Sequence, residues 1–313
     1  MPALPALDAI QRLADPAVQL AGEAHGAFSA LLQKKSKRAS VKEVLQQIVD
    51  EVREGRDDSG LLKTGIEGLD GRLNIYKGDF IVITAPTSCG KTALAAQIVL
   101  SMAMHGMRVG LYPLEMLTKQ MLSRAIGQLG GHNVNFVRDV AKGVTGEPNE
   151  FQRKTLSEFM DTARTIAKMK LHIRDDLFSA EEIFSDIRVE HAFDPFSVIV
   201  IDYAQLIRTS VKTGSRQQEI ASITQRCKQL ASQLEVALIV PSQVNKEGGT
   251  REAQDLENDA NSVLKIKGKE NDKGEVEYDG MFVWKQRQGQ RNIDIPLHFD
   301  PVATRFTLRK EAR

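Results

Sequence analysis

A buried-strand pattern followed by a short glycine-lysine-threonine loop constrains the fold of this chain more than any other feature. The apolar run Phe80–Thr84 leads into the loop, and an alanine-rich helical pattern, Thr92–His105, follows it. Strand, loop and helix in this order are what a phosphate-binding P-loop requires. The motif consists of Ala85, Pro86, Thr87, Ser88, Cys89, Gly90, Lys91 and Thr92.

These eight residues predict a site for ATP and Mg²⁺. Successive backbone N–H groups and the positive end of a helix can surround a pyrophosphate. Gly90 lets the main chain approach closely, Lys91 supplies a positive charge to the β and γ phosphates, and the Thr92 hydroxyl can coordinate the metal. Ala85 stands where the strict motif has glycine. The alternative is a chance Gly-Lys-Thr sequence at the start of a helix.

Strand and helix patterns alternate from Thr64 to about Val244, which predicts an α/β fold with a mainly parallel sheet flanked by helices. The predicted strands are Phe80–Thr84, Val109–Tyr112, Leu171–Arg174, Val198–Asp202 and Val236–Pro241. The predicted helices are Thr92–His105, Thr118–Leu129, Phe151–Met169, Ala180–His191 and Arg216–Leu234. Beyond Asn261 the pattern predicts a C-terminal antiparallel extension. Its strands are Ser262–Lys267, Val276–Lys285, Ile293–Phe299 and Arg305–Leu308.

Composition excludes several classes of protein. The 313 residues contain no apolar run near the roughly 18 that a membrane span needs, and Met1–Leu20 lacks a signal-peptide pattern. We therefore expect no membrane association. The two cysteines, Cys89 and Cys227, rule out a disulfide scaffold and favour the cytoplasm, or a host cytoplasm for a virus-encoded chain. A net charge of +1 means that any nucleic-acid binding must come from a local basic surface.

Three polar residues follow predicted strands. Asp202 ends the fourth strand in a Walker B pattern, in which the carboxylate helps to hold Mg²⁺, while Glu115 follows the second strand and Gln243 the fifth. Because the carboxyl ends of parallel strands share one edge, we expect these side chains to converge on the P-loop. Glu115 can polarise an attacking water, and Gln243 can contact the γ-phosphate. The alternatives are a solvated loop carboxylate and a solvated loop amide.

Lys285 and Arg287 end a C-terminal strand and are two residues apart, which aims both charges to one face. Two adjacent like charges cost energy unless an anion lies between them. A phosphate bound to a neighbouring subunit would satisfy both, as it does an arginine finger. An ordinary solvated sheet edge is the alternative.

Basic residues also mark two polar loops after the fourth and fifth strands. Arg208, Lys212 and Arg216 lie in the first loop, and Lys246 and Arg251 lie in the second. Basic loops beside an ATP site suit contact with a nucleic-acid backbone. Solvated loop charges are the alternative.

The order of these segments resembles known ATPases. Thr64–Asp70, Gly78–Ile83 and the P-loop are similar to RecA-like ATPases in general. A further set resembles the ATPase domain of DnaB-type replicative helicases, from about Thr64 to Leu308: Leu114–Met116, Ile201–Leu206, Arg216–Glu219, Lys228–Ala231, Ser242–Gln243 and Lys285–Gly289.

This resemblance implies a RecA-like fold and a hexameric ring around single-stranded DNA, with ATP hydrolysed between subunits. It implies Glu115 as catalytic base, Gln243 as sensor, Arg287 with Lys285 as a finger acting in trans, and the loop 208–216 facing the channel. Replication proteins such as a primase or a loader are further implied partners. Arg124 also matches the family pattern. An ATP-switched DNA-binding or assembly protein of the RecA or KaiC type, without unwinding activity, is the alternative function.

The organisation expected is a helical segment over residues 1–60 and an ATPase domain over 61–313. About 60 residues thus precede the ATPase domain, fewer than in the family's N-terminal domain. A first helix is predicted at Pro16–Leu32, and a second, Val41–Glu54, opens with a capping box formed by Ser40 and Glu43. The apolar stripe of the second helix must be buried somewhere. We expect a linker helix that docks on an adjacent subunit, with folding back on its own domain as the alternative.

Overall fold

A computed structural model describes residues 40–54, 60–131, 133–144, 146–202, 207, 209, 216–244, 251–271 and 275–309. The helix predicted at Pro16–Leu32 lies outside this part of the chain. The helices are α1 (Val41–Glu54), α2 (Lys91–Met104), α3 (Thr118–Gly130), α4 (Val134–Lys142), α5 (Glu150–Ala167), α6 (Ala180–Phe193), α7 (Arg216–Leu234) and α8 (Arg251–Asp259). The strands are β1 (Leu61–Leu62), β2 (Ile75–Tyr76), β3 (Phe80–Ala85), β4 (Val109–Pro113), β5 (Leu171–Ile173), β6 (Val198–Asp202), β7 (Ala237–Gln243), β8 (Ser262–Glu270), β9 (Val276–Gln286), β10 (Ile293–Ile295), β11 (Leu297–Asp300) and β12 (Arg305–Leu308).

Eight of the described strands form one sheet in the order β10-β9-β8-β3-β7-β6-β4-β5. The pairs from β8 to β5 are parallel, which confirms the predicted mainly parallel sheet. Every residue of β3, β4 and β6 is buried, because helices cover both faces of a parallel sheet. Burial of each large aliphatic side chain stabilises the fold by roughly 1.5–3 kcal/mol. The buried strands are therefore held firmly, and so are the residues that follow their carboxyl ends.

The C-terminal extension differs from the prediction in two respects. β8 was expected in a purely antiparallel group, but it pairs parallel to β3 on one side and antiparallel to β9 on the other. The single strand expected at Ile293–Phe299 is divided at Pro296, because proline has no N–H to donate to a sheet ladder. The residues before the proline pair with β9, and those after it form the β11–β12 hairpin.

The capping box predicted before α1 is confirmed, and two helices were missed. The backbone N–H of Ser40 donates to Glu43 and that of Glu43 donates to the Ser40 hydroxyl, as the capping box at the start of α1 predicts. Ser179 and Glu182 form the same arrangement before α6. The short helices α4 and α8 were not predicted. α8 was missed because it contains few apolar residues; one of them, Leu256, is buried.

The described chain divides into two compact units. One contains α1 together with residues Ser185–Pro195, and the other contains Ser59–Phe184 and Phe196–Arg313 with the whole sheet. The apolar stripe of α1 is exposed, with Leu45 57% and Ile48 49% accessible. None of the helices described is long and apolar enough to cross a membrane.

Candidate nucleotide-binding site

The loop between β3 and α2 has the backbone of a phosphate-binding turn. Ser88 and Gly90 adopt positive φ angles of 66° and 87°, and α2 begins directly at Lys91. A Cβ atom at position 90 would lie 2.9 Å from the Phe306 ring and 3.0 Å from the Phe299 ring. Only glycine therefore fits at this position, for reasons of both backbone conformation and space.

The same loop is supported from behind by β8. A Cβ atom added at Gly268 would lie 2.9 Å from the Cys89 sulfur, so strand and loop are in close contact. Burial raises the pKa of the Cys89 thiol, against a smaller opposing effect of Lys91. The thiol is therefore neutral and faces the interior, and the backbone N–H of Cys89 donates to the Pro86 carbonyl over 3.4 Å within the loop.

Asp202 lies at the carboxyl end of β6 and is 3% exposed. Burial raises the pKa of its carboxyl to about 6, and the Glu115 charge adds to this, while a hydrogen bond from the Thr92 hydroxyl and the charges of Lys91 and Arg124 oppose it. The predicted Walker B residue thus lies beside the two P-loop side chains that the sequence pairs with it.

One oxygen of Asp202 suggests what the site can hold. Its Oδ1 atom is buried and has no hydrogen-bond partner within the described chain, although a buried carboxylate oxygen ordinarily has one. An oxygen without a donor, next to the Thr92 hydroxyl, suits a hard cation such as Mg²⁺. Among the described residues no group of three or more His, Cys, Asp or Glu side chains forms a metal cage. Phosphate oxygens and water would thus complete the coordination.

Glu115 lies in a short loop that is fixed at both ends. The backbone N–H of Leu114 donates to the Asp202 carbonyl over 2.7 Å, and that of Thr118 donates to Asp175 Oδ2 over 2.6 Å. The hydrogen bonds from Thr118 lower the pKa of Asp175. Asp175 was not predicted from the sequence. It lies just beyond β5, and only the pairing of β5 with β4 brings it to the start of α3.

Gln243 is in direct contact with the P-loop. Its Nε2 donates to the Thr87 hydroxyl over 2.8 Å, and its backbone pairs with Ala85 in the sheet register. The N–H of Val244 donates to the Ala85 carbonyl over 3.1 Å. The structure therefore brings Gln243, Asp202 and Glu115 to the same edge of the sheet as the P-loop.

A cavity of about 950 Å³ opens beside the P-loop. Pro86, Thr87 and Ser88 form one wall, and the start of β9 and the β11–β12 hairpin form the other. Tyr278 lines it, donates its hydroxyl hydrogen to the Leu297 carbonyl over 2.7 Å, and has its pKa raised to about 12 by burial. Sequence reasoning missed this wall, because the hairpin that builds it lies about 200 residues from the P-loop.

Lys285 and Arg287 lie at the opposite end of the parallel strands from the P-loop. The register joins Gln286 to Ser262 and Ser262 to Ile81, which places both charges near the amino end of β3, whereas the P-loop follows its carboxyl end. A strand of six residues spans about 17 Å. These side chains therefore cannot reach the P-loop of their own chain.

The environment of Lys285 is more confined than a solvated edge. Its Nζ donates to the Glu257 and Asn258 carbonyls over 2.9 and 2.8 Å, at the end of α8. Burial, and then the charges of Arg287 and Lys228, lower its pKa, while Asp259 and Glu257 oppose this. Lys285 thus has partners in its own chain that its sequence neighbours do not reveal.

The two basic loops leave the carboxyl ends of β6 and β7, on the edge that carries the P-loop. Arg208, Lys212 and Lys246 lie outside the described residues, as does the side chain of Arg251. Arg216 begins α7 and is held in its own chain, since it donates to the Ile207 carbonyl over 3.0 Å and forms an ion pair with Glu219 at 2.6 Å. Glu219 also accepts from the backbone N–H of Thr209 over 3.1 Å, so it joins Thr209, in the first loop, to the start of α7.

Comparison with known proteins identifies the family. The family described as "DnaB-like helicase C terminal domain" matches residues 61–308. The chain belongs to this DnaB-like family. It is similar to a "Probable plasmid replicative DNA helicase" of Chlamydia muridarum, with 32% identity over 269 residues, which is 80% of this chain and 55% of the relative. The chain thus spans about half the length of the curated relatives it matches.

Solved structures of helicase and ATPase domains share the fold. One that is described as an ATPase domain aligns with a TM-score of 0.72 at 24% identity, over 87% of this chain and 99% of that one. A DnaB-like replicative helicase, solved to show its interactions with primase, aligns with a TM-score of 0.72 at 22% identity, over 91% of this chain and 75% of that one. At these identities the likeness shows the fold alone, and it confirms the predicted RecA-like core.

Proposed function

We propose that this chain is the motor of an ATP-dependent replicative DNA helicase, which works as a ring of identical subunits on single-stranded DNA. The observation that carries the proposal is that the proposed catalytic residues lie at opposite ends of the parallel strands. The P-loop, Asp202, Glu115 and Gln243 meet at one edge, while Arg287 lies at the other, about 17 Å away along β3. Such a site is complete only when a second copy supplies its finger.

In this proposal the P-loop backbone and Lys91 bind the β and γ phosphates of ATP. Thr92 and the unpartnered oxygen of Asp202 hold Mg²⁺, which when bound neutralises charge on the transferred phosphoryl group. Glu115 orients and polarises the attacking water from its fixed loop. Gln243, which contacts Thr87 of the P-loop, also contacts the γ-phosphate. When the γ-phosphate is released, Gln243 loses this contact, and the change is transmitted to the loop that follows β7.

Two substitutions test the assignment of these roles. We expect Lys91→Ala to abolish ATP hydrolysis, because loss of a phosphate clamp costs several kcal/mol of barrier. Glu115→Gln should retain nucleotide binding and stop turnover, since the amide cannot polarise water as a carboxylate does. Nucleotide binding by fluorescence anisotropy and steady-state phosphate release separate the two effects. Unchanged turnover in Glu115→Gln would place the catalytic base elsewhere.

The action of Arg287 in trans has its own test. Arg287→Ala subunits and Lys91→Ala subunits should each be inactive, and a mixture should regain activity. A fraction of interfaces in mixed rings pairs an intact P-loop with an intact finger. If no mixture exceeds the two parents, the assignment in trans loses its support.

Assembly is proposed to depend on α1. Its apolar stripe of Val41, Val44, Leu45, Ile48, Val49 and Val52 is exposed. An apolar cleft of about 490 Å³ lies at the free edge of the sheet, and its walls come from α3, α5 and β5. We propose that the stripe of one copy docks into this cleft of the next. Burial of several aliphatic side chains at roughly 1.5–3 kcal/mol each, before the cost of association, would make this a major part of the assembly energy.

Deletion of residues 1–57 should then leave a nucleotide-binding monomer with reduced ATPase activity. A sharper test replaces Leu45 and Ile48 together by glutamine, with Gln46→Ala on the polar face as the control. Mass measurement in the presence of ATP should show the control as a full oligomer and the double variant as smaller species. A double variant of unchanged mass and activity would mean that the subunit contacts lie elsewhere.

Single-stranded DNA is the proposed track, contacted by the loops that carry Arg208, Lys212, Arg216, Lys246 and Arg251. The two buried, free cysteines suit action in the cytoplasm. A primase or a loader remains a predicted partner. A strand-displacement assay distinguishes the helicase from an ATP-switched assembly protein of the RecA or KaiC type, which would bind DNA and hydrolyse ATP without separating strands.

A further inference from the structure

A second cleft, of about 470 Å³, lies on the other side of the hairpin turn from the nucleotide cavity. Pro301 lines the nucleotide cavity, and the next residue, Val302, lines this cleft. The opposite wall includes Met116, the residue after Glu115, so the cleft begins beside the loop of the proposed catalytic base. We call it the basic cleft, because three cations surround it.

These cations are Lys119 and Arg124 on α3 and Arg138 on α4. No carboxylate is among the described residues that line the cleft, and none of the three cations forms an ion pair within the described chain. Arg138 makes one neutral contact, a hydrogen bond to Asn135 at 3.3 Å. Lys142, on the same helix as Arg138, is instead paired with Asp139 at 3.4 Å.

One of the three cations relates the cleft to the proposed Mg²⁺ site. Arg124 is near enough to Asp202 for its charge to act on that carboxyl, so the cleft extends into the neighbourhood of that site. Lys119, Arg124 and Arg138 are all exposed to solvent, so the cleft is open to the outside. Concave surfaces lined by one sign of charge concentrate small ions of the other sign.

We propose that the basic cleft binds inorganic phosphate, and that the phosphate produced by ATP hydrolysis leaves the site through it. This inference rests on the proposed ATPase function. Asn133 lines the same cleft; its side-chain amide donates one hydrogen to the Val302 carbonyl over 3.2 Å and has a second that can donate to a phosphate oxygen. Phosphates of a nucleic-acid backbone have similar chemistry, but a compact cleft at the end of the catalytic loop suits a single small anion better than a continuous strand.

Binding can be measured without catalysis. Inorganic phosphate is titrated into the full chain carrying Lys91→Ala, which weakens the P-loop, and ³¹P line broadening reports binding. We expect Lys119→Gln and Arg138→Gln in this background each to weaken phosphate binding up to about fivefold, the upper end of the range for loss of one exposed ionic contact. Lys142→Gln, on the same helix as Arg138 but outside the cleft, is the matched control and should change binding less than about twofold.

The second measurement uses the intact P-loop. The concentration of phosphate that inhibits ATP hydrolysis by half should rise about fivefold in Arg138→Gln, while the KM for ATP is unchanged. Phosphate binding that is unaffected by both cleft substitutions would overturn the proposal. So would variants that lose affinity for oligo(dT) but not for phosphate, which would assign the cleft to nucleic acid. A chain without any ATPase activity would refute the proposed function, yet the titration would still test the cleft.

Discussion

Replacement of Asp202 by asparagine should stabilise the fold while it abolishes ATP hydrolysis. A rise in pKa from 3.8 to about 6 corresponds to about 3 kcal/mol. The pKa of Asp202 is higher in the folded protein than in the unfolded chain. The free energy of unfolding of the wild-type protein therefore falls by about 3 kcal/mol as the pH rises from about 4 to 6, and it falls no further on this account above about pH 6. The asparagine side chain carries no charge at any pH, so without nucleotide we expect Asp202→Asn to be more stable by up to about 3 kcal/mol at pH 8.

Urea unfolding followed by fluorescence of the single tryptophan, Trp284, measures this difference. The advantage of the variant should stay near its full size above about pH 6 and shrink as the pH falls from about 6 to 4.5. Asp279→Asn, at an exposed position on β9, is the control and should show no such trend. Mg²⁺ with ATP should stabilise the wild type and not Asp202→Asn. A variant that is equal or less stable at pH 8 would refute the reasoning that the buried carboxylate is kept for function at a cost in stability.

Three further predictions concern how the site is supported. Gly90→Ala should lower the melting temperature and abolish ATP binding in a binding titration, because a methyl group there meets the hairpin rings, whereas Gly106→Ala, with a similar φ of 83° and open space around it, should bind ATP normally. Asp175→Ala should reduce kcat about tenfold with little change in KM, since it releases the end of the Glu115 loop, and Asp175→Asn should restore part of the rate; equal rates in both would argue against positioning. Glu219→Gln should reduce the stimulation of ATPase activity by single-stranded DNA and leave the basal rate unchanged, because it weakens the contacts of Glu219 with Thr209 in the first basic loop and with Arg216; a lower basal rate alone would contradict this.

The carboxyl-edge residues were predictable because parallel topology converts sequence order into position. An apolar run that ends in Asp202 and another followed by Glu115 must place both residues at one edge once the strands pair, and the register does align Pro113 with Asp202. The P-loop was predictable for a similar reason, since strand, loop and helix are consecutive. No contact distant in sequence is needed for any of these inferences.

Residues that act through distant contacts were not predictable. Asp175 has no local pattern, and its role depends on the position of β5 beside β4. Glycine is needed at position 90 for two reasons, its positive φ angle and the nearby rings of Phe299 and Phe306. The rings come from the C-terminal hairpin, so the second reason is not visible in the local sequence. The partners of Lys285 were missed because α8 has too few apolar residues to be recognised as a helix.

The central claim is that this chain is an ATP-driven motor whose site is completed by a second copy on single-stranded DNA. ATPase activity of the full chain, measured with and without oligo(dT) alongside the mass of the ATP-bound species, tests it most directly. We predict an oligomer whose activity rises with oligo(dT), depends on Lys91, and falls when the protein is diluted below the concentration at which it assembles. A monomer that hydrolyses ATP at full rate, indifferent to DNA, would contradict the claim.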